Sequence, residues 1–202
     1  MRSPLMRRIM YYKWHIFVIV FCLISAYIIH AGNDEKSDLR FVFISDGYMN
    51  VQNFKDNKGE IELLLNDSDG NGKKVASLST YHEKTPEDAA KRMKEFIKNG
   101  QFDIYISNKE AFEKIEDKSV FESTDSFLID REEYTYLSDS TGRNYGVSLD
   151  SNSLAERIGI NQTKNMYIAV RINYDGDERA ATMKNAMNIS GYIIKNKNKY
   201  QI

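Results

Sequence analysis

This sequence contains few cysteines and prolines, and its positive and negative charges are almost balanced. Its 202 residues include two prolines, 11 glycines and a single cysteine, Cys22. One cysteine cannot form an intramolecular disulfide, and Cys22 lies inside an apolar run. The rest of the chain therefore has no thiol nucleophile and no cysteine-based metal site. So few prolines and glycines also exclude a low-complexity chain.

Net charge is nearly absent as well. The 28 lysines and arginines are opposed by 29 aspartates and glutamates, which gives a formal net charge of −1. Nucleic-acid-binding proteins usually present a basic face, so this balance predicts no nucleic-acid partner. Hydrophobic residues make up 42% of the chain, which is enough for a packed core and argues against wholesale disorder.

The N-terminal part of the chain differs from the rest. An uncharged apolar run from Ile16 to Ile29 follows four basic residues, Arg2, Arg7, Arg8 and Lys13. Aromatic residues lie near both ends of the run: Tyr11, Tyr12 and Trp14 before it, and Tyr27 close to its end. Positive charge before an apolar span places the N-terminus in the cytoplasm. We therefore predict a basic cytoplasmic segment over 1–13, a transmembrane helix over 14–31, a short tether over 32–38 and an extracellular domain over 39–202.

Two other interpretations of this apolar run are less well supported. A cleaved signal peptide needs small residues before its cleavage site, and Ile29 is bulky at the position paired with Ala31. A lipid anchor on Cys22 needs a small preceding residue, and Phe21 is there instead. An uncleaved anchor is favoured, and cleavage remains the alternative.

From Leu39 onward, short apolar runs alternate with helical patterns. The runs LRFVFIS, KVASLSTYHE, FDIYISN, YGVSL and MYIAVRIN read as strands, and Val120 with Phe121 as a brief edge strand. The clearest helix begins at Pro86, with Thr85 as its N-cap. This order predicts an α/β domain of three layers, with a mostly parallel sheet and helices on both faces.

Catalytic motifs are missing from this domain. There is no GxSxG turn for a serine nucleophile and no GxGxxG phosphate loop. His82 is the one histidine of the predicted domain, and the sequence after it does not complete HExxH. We therefore predict no enzymatic activity and no cofactor.

The segment DSDGNGKK raises the question of a metal site. Asp67, Asp69, Asn71 and Gly72 match the start of a calcium-binding loop, but Leu78 occupies the twelfth position, where a bidentate Glu is required. A turn made of residues that tolerate positive φ is the favoured interpretation. Calcium stays the alternative.

Polar residues at the ends of the predicted strands are the candidate binding groups. Ligands of open parallel sheets gather at the carboxyl ends of the strands. We name five candidate ligand-binding residues: Asp46, Tyr81, Asn108 and Asn152 at such ends, and Tyr145 in the run YGVSL that leads to one of them. The competing interpretation is that such residues are helix caps and turn residues.

The order of these segments resembles the first lobe of type 2 periplasmic, or extracellular, solute-binding proteins of ABC importers. YGVSLDSNSL is similar to the segment by which that family leaves its first lobe, and MYIAVRINYDGDERAATMKNAMNISGYI to the returning strand and helix. The family inserts a whole second lobe between the two, whereas here only residues 150–165 separate them. A single lobe cannot close over a solute.

The resemblance implies a membrane-anchored lobe that acts as a non-enzymatic binding or interaction module. Its expected partners are the lipid bilayer, through the N-terminal helix, and subunits of a membrane transport complex. The alternative is a true small-solute binding protein, whose second lobe comes from a dimer or from another subunit.

Overall fold

A computed structural model describes residues 12, 15, 17–25, 37–128, 134–172 and 177–196. The chain divides into two units, Met1–Lys36 and Ser37–Ile202. In the first unit, residues 17–25 are helical (α1), and most of their side chains are exposed. None of the helices found among the described residues combines the length and apolarity needed to cross a bilayer. Much of the predicted span 14–31 and of the tether 32–38 lies outside those residues.

The second unit is an α/β domain. Its strands are β1 (Leu39–Ser45), β2 (Ala76–His82), β3 (Ile104–Asn108), β4 (Tyr136–Ser138), β5 (Asn144–Ser148) and β6 (Met166–Val170). Its α-helices are α2 (Val51–Leu64), α3 (Pro86–Lys98), α4 (Lys109–Glu113), α5 (Ser153–Arg157) and α6 (Asp177–Lys195). Two short 3₁₀ turns, Lys118–Val120 and Thr124–Ser126, follow α4.

The six strands form one mixed sheet in the order β2-β1-β3-β6-β5-β4. β1 pairs in parallel with β2 and β3, whereas the pairs β3–β6, β6–β5 and β5–β4 are antiparallel. The prediction of a mostly parallel sheet is therefore wrong. The connection from β5 to β6 contains only the short helix α5 and does not cross to the opposite end of the sheet, so the chain returns antiparallel.

Helices cover both faces of the sheet, as predicted. Phe41, Ile106 and Ile168 point to one face and pack with residues of α2, α5 and α6. Val42 and Tyr105 point to the other face and pack with residues of α3 and α4. Because side chains alternate along β1 and β3, these strands contribute residues to two apolar clusters, one on each side of the sheet.

Local signals in the sequence placed most elements correctly. Thr85 caps α3 by accepting the Asp88 N–H, and Pro86 is the first helical residue. The predicted edge strand at Val120 and Phe121 is wrong, because Val120 ends a 3₁₀ turn and Phe121 makes only an isolated bridge with Arg171. The turn interpretation of DSDGNGKK fits the structure, since Gly70 and Gly72 have φ of +72° and +79°.

Candidate binding surface at the strand ends

The carboxyl ends of four strands meet the start of β6 at one edge of the sheet. Ser45 is in register with His82, Asn108 with Met166, and Ser148 with Tyr167. β5 runs in the same direction as β1 because two antiparallel pairings separate β5 from β3. We call this edge the strand-end rim; it comprises residues 45–48, 82–83, 107–110, 148–152 and 165–166.

The segment after β1 presents the most exposed side chains of the rim. Ser45 is buried, and its Oγ accepts the Gly47 N–H at 3.0 Å while donating to Asp46 at 3.1 Å. This turn leaves Asp46 exposed and Tyr48 72% exposed. A carboxylate and an aromatic ring therefore stand two residues apart in solvent, on a turn whose backbone is held by Ser45.

A hydrogen-bonded network joins the segments on the other side of the rim. The Asn165 N–H donates to Asp150 at 2.8 Å, and its side-chain amide donates to Glu110 at 2.8 Å. Asn165 and Ser151 have φ of 62° and 55°, the left-handed region that costs a residue with a Cβ about 1–2 kcal/mol. Backbone strain of this kind clusters at functional surfaces.

Two of the predicted ligand-binding residues are helix N-caps in the structure. Asn108 accepts the Ala111 N–H at 3.0 Å and begins α4. Asn152 accepts the Ala155 N–H at 2.9 Å, begins α5, and donates to the Ile193 carbonyl at 2.9 Å. Asn152 is also buried, so its polar atoms face the protein and not the solvent at the rim.

We expect Asn152→Ala to destabilise the protein by about 2–3 kcal/mol, because it leaves a helix N-terminus uncapped and a buried carbonyl unpaired. Asn108→Ala, at a less buried cap, should cost about 1 kcal/mol. Chemical denaturation of both variants measures the difference. Equal losses would contradict the role assigned to the Asn152–Ile193 hydrogen bond.

The two predicted tyrosines lie in the apolar cluster beneath α3 and α4. Tyr81 is partly buried, with its ring 4.9 Å from that of Phe96 and the Arg92 guanidinium 5.0 Å from its ring centroid. Tyr145 lies in the middle of β5, is 1% exposed and stacks on Phe121 at 5.8 Å. Burial raises the pKa of Tyr145 to about 12. Of the five predicted residues, Asp46 alone is an exposed rim group.

Neither side-chain pairing nor burial marks His82 as a catalytic group. It is exposed at the end of β2, and within the described part of the chain no hydrogen bond or ion pair joins it to a serine or a carboxylate. Tyr48 and Asn165 were missed by sequence reasoning. The sequence signal for Tyr48 was its position directly after the Asp46-Gly47 turn. No comparable sequence signal indicates the left-handed backbone of Ser151 and Asn165.

Three carboxylates come together at the opposite end of β1. Those of Asp38, Asp67 and Asp69 each offer an oxygen within 4.8 Å of the others. Asp38 is buried and accepts the Ser68 N–H and hydroxyl at 2.6 Å and the Val75 N–H at 2.9 Å. Asp67 accepts two glycine N–H groups at 2.7 Å. These donors account for the positions of both carboxylates as parts of a turn.

This turn predicts a loss of stability in acid. The Gly72 N–H is the main cause of a lowered pKa of Asp67. A carboxyl whose folded pKa is depressed stabilises the fold above its unfolded pKa, and this contribution disappears as the pH falls through the folded value. We expect the melting temperature to fall below about pH 4, and to fall less steeply in Asp67→Asn. An equal slope in both proteins would show that Asp67 does not contribute.

Comparisons of the chain with protein-family models, with curated proteins and with solved structures give no significant match.

Proposed function

We propose that the protein is a single-pass, membrane-anchored binding module without enzymatic activity, whose α/β domain lies outside the cell and contacts its partner through the strand-end rim. The partner we propose is a subunit of a membrane transport complex. The observation that carries the proposal is the rim itself, where four strands end. Asp46 and Tyr48 face solvent there, on a turn whose Gly47 N–H is bonded to the Ser45 hydroxyl.

The connection between β5 and β6 supports a single, self-contained lobe. Leu154, Ala155 and Ile158 of this connection are buried in the same apolar cluster as β1. The Asn50 N–H donates to the Gly159 carbonyl at 2.7 Å, and Met49 bridges Ile160. A connection built into the core in this way is not a hinge, which favours an interaction surface over solute capture by closure of two lobes.

The proposal of a membrane anchor rests on the sequence before the domain. The described residues 17–25 read FVIVFCLIS, without a charge, and are helical. The basic residues precede this run, which is the arrangement that retains an N-terminus in the cytoplasm. A domain that follows such an anchor is held at the membrane, where a membrane partner is within reach.

Cysteine labelling in intact cells tests the anchor and its orientation. In a Cys22→Ser background, Lys91→Cys places a thiol on the exposed surface of α3, and Arg2→Cys places one before the span. We expect a membrane-impermeant maleimide to label the first variant in intact cells and the second only after permeabilisation. The reverse pattern, or recovery of the full chain in the soluble fraction, would contradict the proposal.

Thermal shift measurements separate the interaction module from the alternative of small-solute binding. The full chain in phospholipid nanodiscs is heated with amino acids, sugars or oligopeptides. A solute at about 100 times its Kd would add about 2.7 kcal/mol of stability. The interaction proposal predicts no shift from any of these solutes. If a solute raises the melting temperature and Asp46→Ala abolishes that increase, solute binding at the rim replaces the interaction proposal.

A further inference from the structure

A groove of about 690 Å³ runs along α6, away from the polar groups of the rim described above. One wall is formed by α6 itself, and the rest by the end of α2 and the 3₁₀ turn over residues 124–126 with the two residues that follow it. Its apolar lining includes Leu64, Phe127, Leu128, Met187 and Tyr192. We call it the α6 groove.

Five of the six residues that α6 contributes to the groove form one stripe, and the sixth is Tyr192. Lys184, Met187, Asn188, Gly191 and Lys195 follow the spacing i, i+3, i+4, i+7 and i+11. Side chains at these spacings lie on the same side of an α-helix. Eleven residues correspond to three turns, so the two lysines are separated by about 16 Å along the helix axis.

The two ends of this stripe are positive, and three uncharged residues, Met187, Asn188 and Gly191, lie between them. Lys184 and Lys195 are exposed, and among the described residues neither forms an ion pair. Among the described residues that line the groove, Asp125 is the one with an acidic side chain, and it lies opposite α6. Leu64 is 44% exposed and its neighbour Leu63 is 80% exposed. Adjacent exposed leucines next to an apolar groove mark an interaction surface.

We propose that the α6 groove binds an amphipathic helix of a partner protein that carries acidic residues near both ends of its apolar face. The apolar face would cover Leu64, Phe127 and Met187, and its acidic residues would pair with Lys184 and Lys195. A helix of about twelve residues spans the distance between the lysines. Helices docked in grooves present apolar anchors at i, i+3, i+4 and i+7. This proposal does not depend on the function proposed for the rim.

Three fluorescein-labelled peptides of fifteen residues test this groove against the full chain in nanodiscs. The first has a leucine stripe with glutamates eleven positions apart on the same face, the second replaces those glutamates with lysine, and the third replaces the leucines with serine. Fluorescence anisotropy should show the first peptide binding at least about tenfold more tightly than the other two, a difference of about 1.4 kcal/mol.

Charge reversal in the protein provides the decisive control. In the double variant Lys184→Glu/Lys195→Glu, we expect the preference between the glutamate and lysine peptides to invert, while Lys91→Glu on α3 leaves it unchanged. Equal binding of both charged peptides, or no binding of the glutamate peptide up to about 1 mM, would overturn the proposal. A monomer–dimer equilibrium that the double variant abolishes would overturn it in favour of a second copy of this chain.

Discussion

Replacing Gly159 with alanine should destabilise the protein by about 3–5 kcal/mol, among the largest effects of any single methyl group in the chain. Gly159 has φ of +108°, and a Cβ built there would lie 2.2 Å from the Asn50 carbonyl oxygen and 3.1 Å from its carbon. These are backbone atoms, so the contact cannot be relieved by rotating a side chain. The main chain of one segment must move away from the other.

The Asn50–Gly159 contact joins two parts of the domain. Asn50 is the N-cap of α2 and accepts the N–H groups of Gln52 and Asn53. Its own N–H donates to the Gly159 carbonyl. Movement here should therefore weaken the start of α2 and displace the neighbouring turn that carries Tyr48 at the rim.

Gly59→Ala is the matched control for Gly159→Ala. Gly59 lies inside α2, and a Cβ built there meets nothing within 4 Å. This substitution should stabilise the protein by about 0.5–1 kcal/mol, because alanine favours helix formation. Chemical denaturation of both variants is the measurement. A loss below about 1 kcal/mol in Gly159→Ala would contradict the close approach of the two segments.

Replacing Asp103 with alanine should cost about 3–5 kcal/mol, because it breaks an ion pair whose carboxylate is fully buried. The Asp103 carboxylate accepts the Arg40 backbone N–H at 2.9 Å and two guanidinium N–H groups at 3.1 and 2.8 Å. Its side chain is 0% exposed. Burial lowers the pKa of Arg40, but hydrogen bonding and charge attraction from Asp103 outweigh that effect and leave the pKa raised.

Two comparisons define what the Asp103 measurement means. Glu116→Gln removes an ion pair with Lys94 that lies in solvent, and should cost far less stability than Asp103→Ala, because solvent screens the attraction. The double variant Arg40→Met/Asp103→Leu should recover part of the stability lost in Asp103→Ala, because it removes the uncompensated charge. If Asp103→Ala and Glu116→Gln cost the same by denaturation, the buried pair does not stabilise the fold as described.

The sequence predicted the elements of this fold better than their arrangement. The run LRFVFIS became β1 and the capped Pro86 helix became α3, because apolar spacing and cap residues are local signals. The direction of β6 is not a local signal. The sequence MYIAV could form a parallel or an antiparallel strand equally well. Only the short connection through α5 makes β6 antiparallel to its neighbours.

The candidate site was predictable only in its location. The rule that strand ends gather at one edge correctly located Asp46 there. It did not distinguish a side chain that faces solvent from one that caps a helix, as Asn152 does, because that depends on Ile193, which is 41 residues away. Tyr145 was placed at the site from its sequence neighbours, but alternation along β5 directs it into the core.

Site-specific photocrosslinking in the native cells tests the central claim most directly. Benzoylphenylalanine replaces Tyr48 at the rim, Asn188 in the α6 groove or Lys91 on α3, each in the full-length chain. Crosslinked products are identified by mass spectrometry. We expect Tyr48 to crosslink to an integral subunit of a membrane transport complex, and Lys91 to give no such product. The assignment of the strand-end rim as the contact surface would be contradicted if that subunit crosslinked to position 188 or 91 but not to position 48. It would also be contradicted if no position gave a crosslinked product.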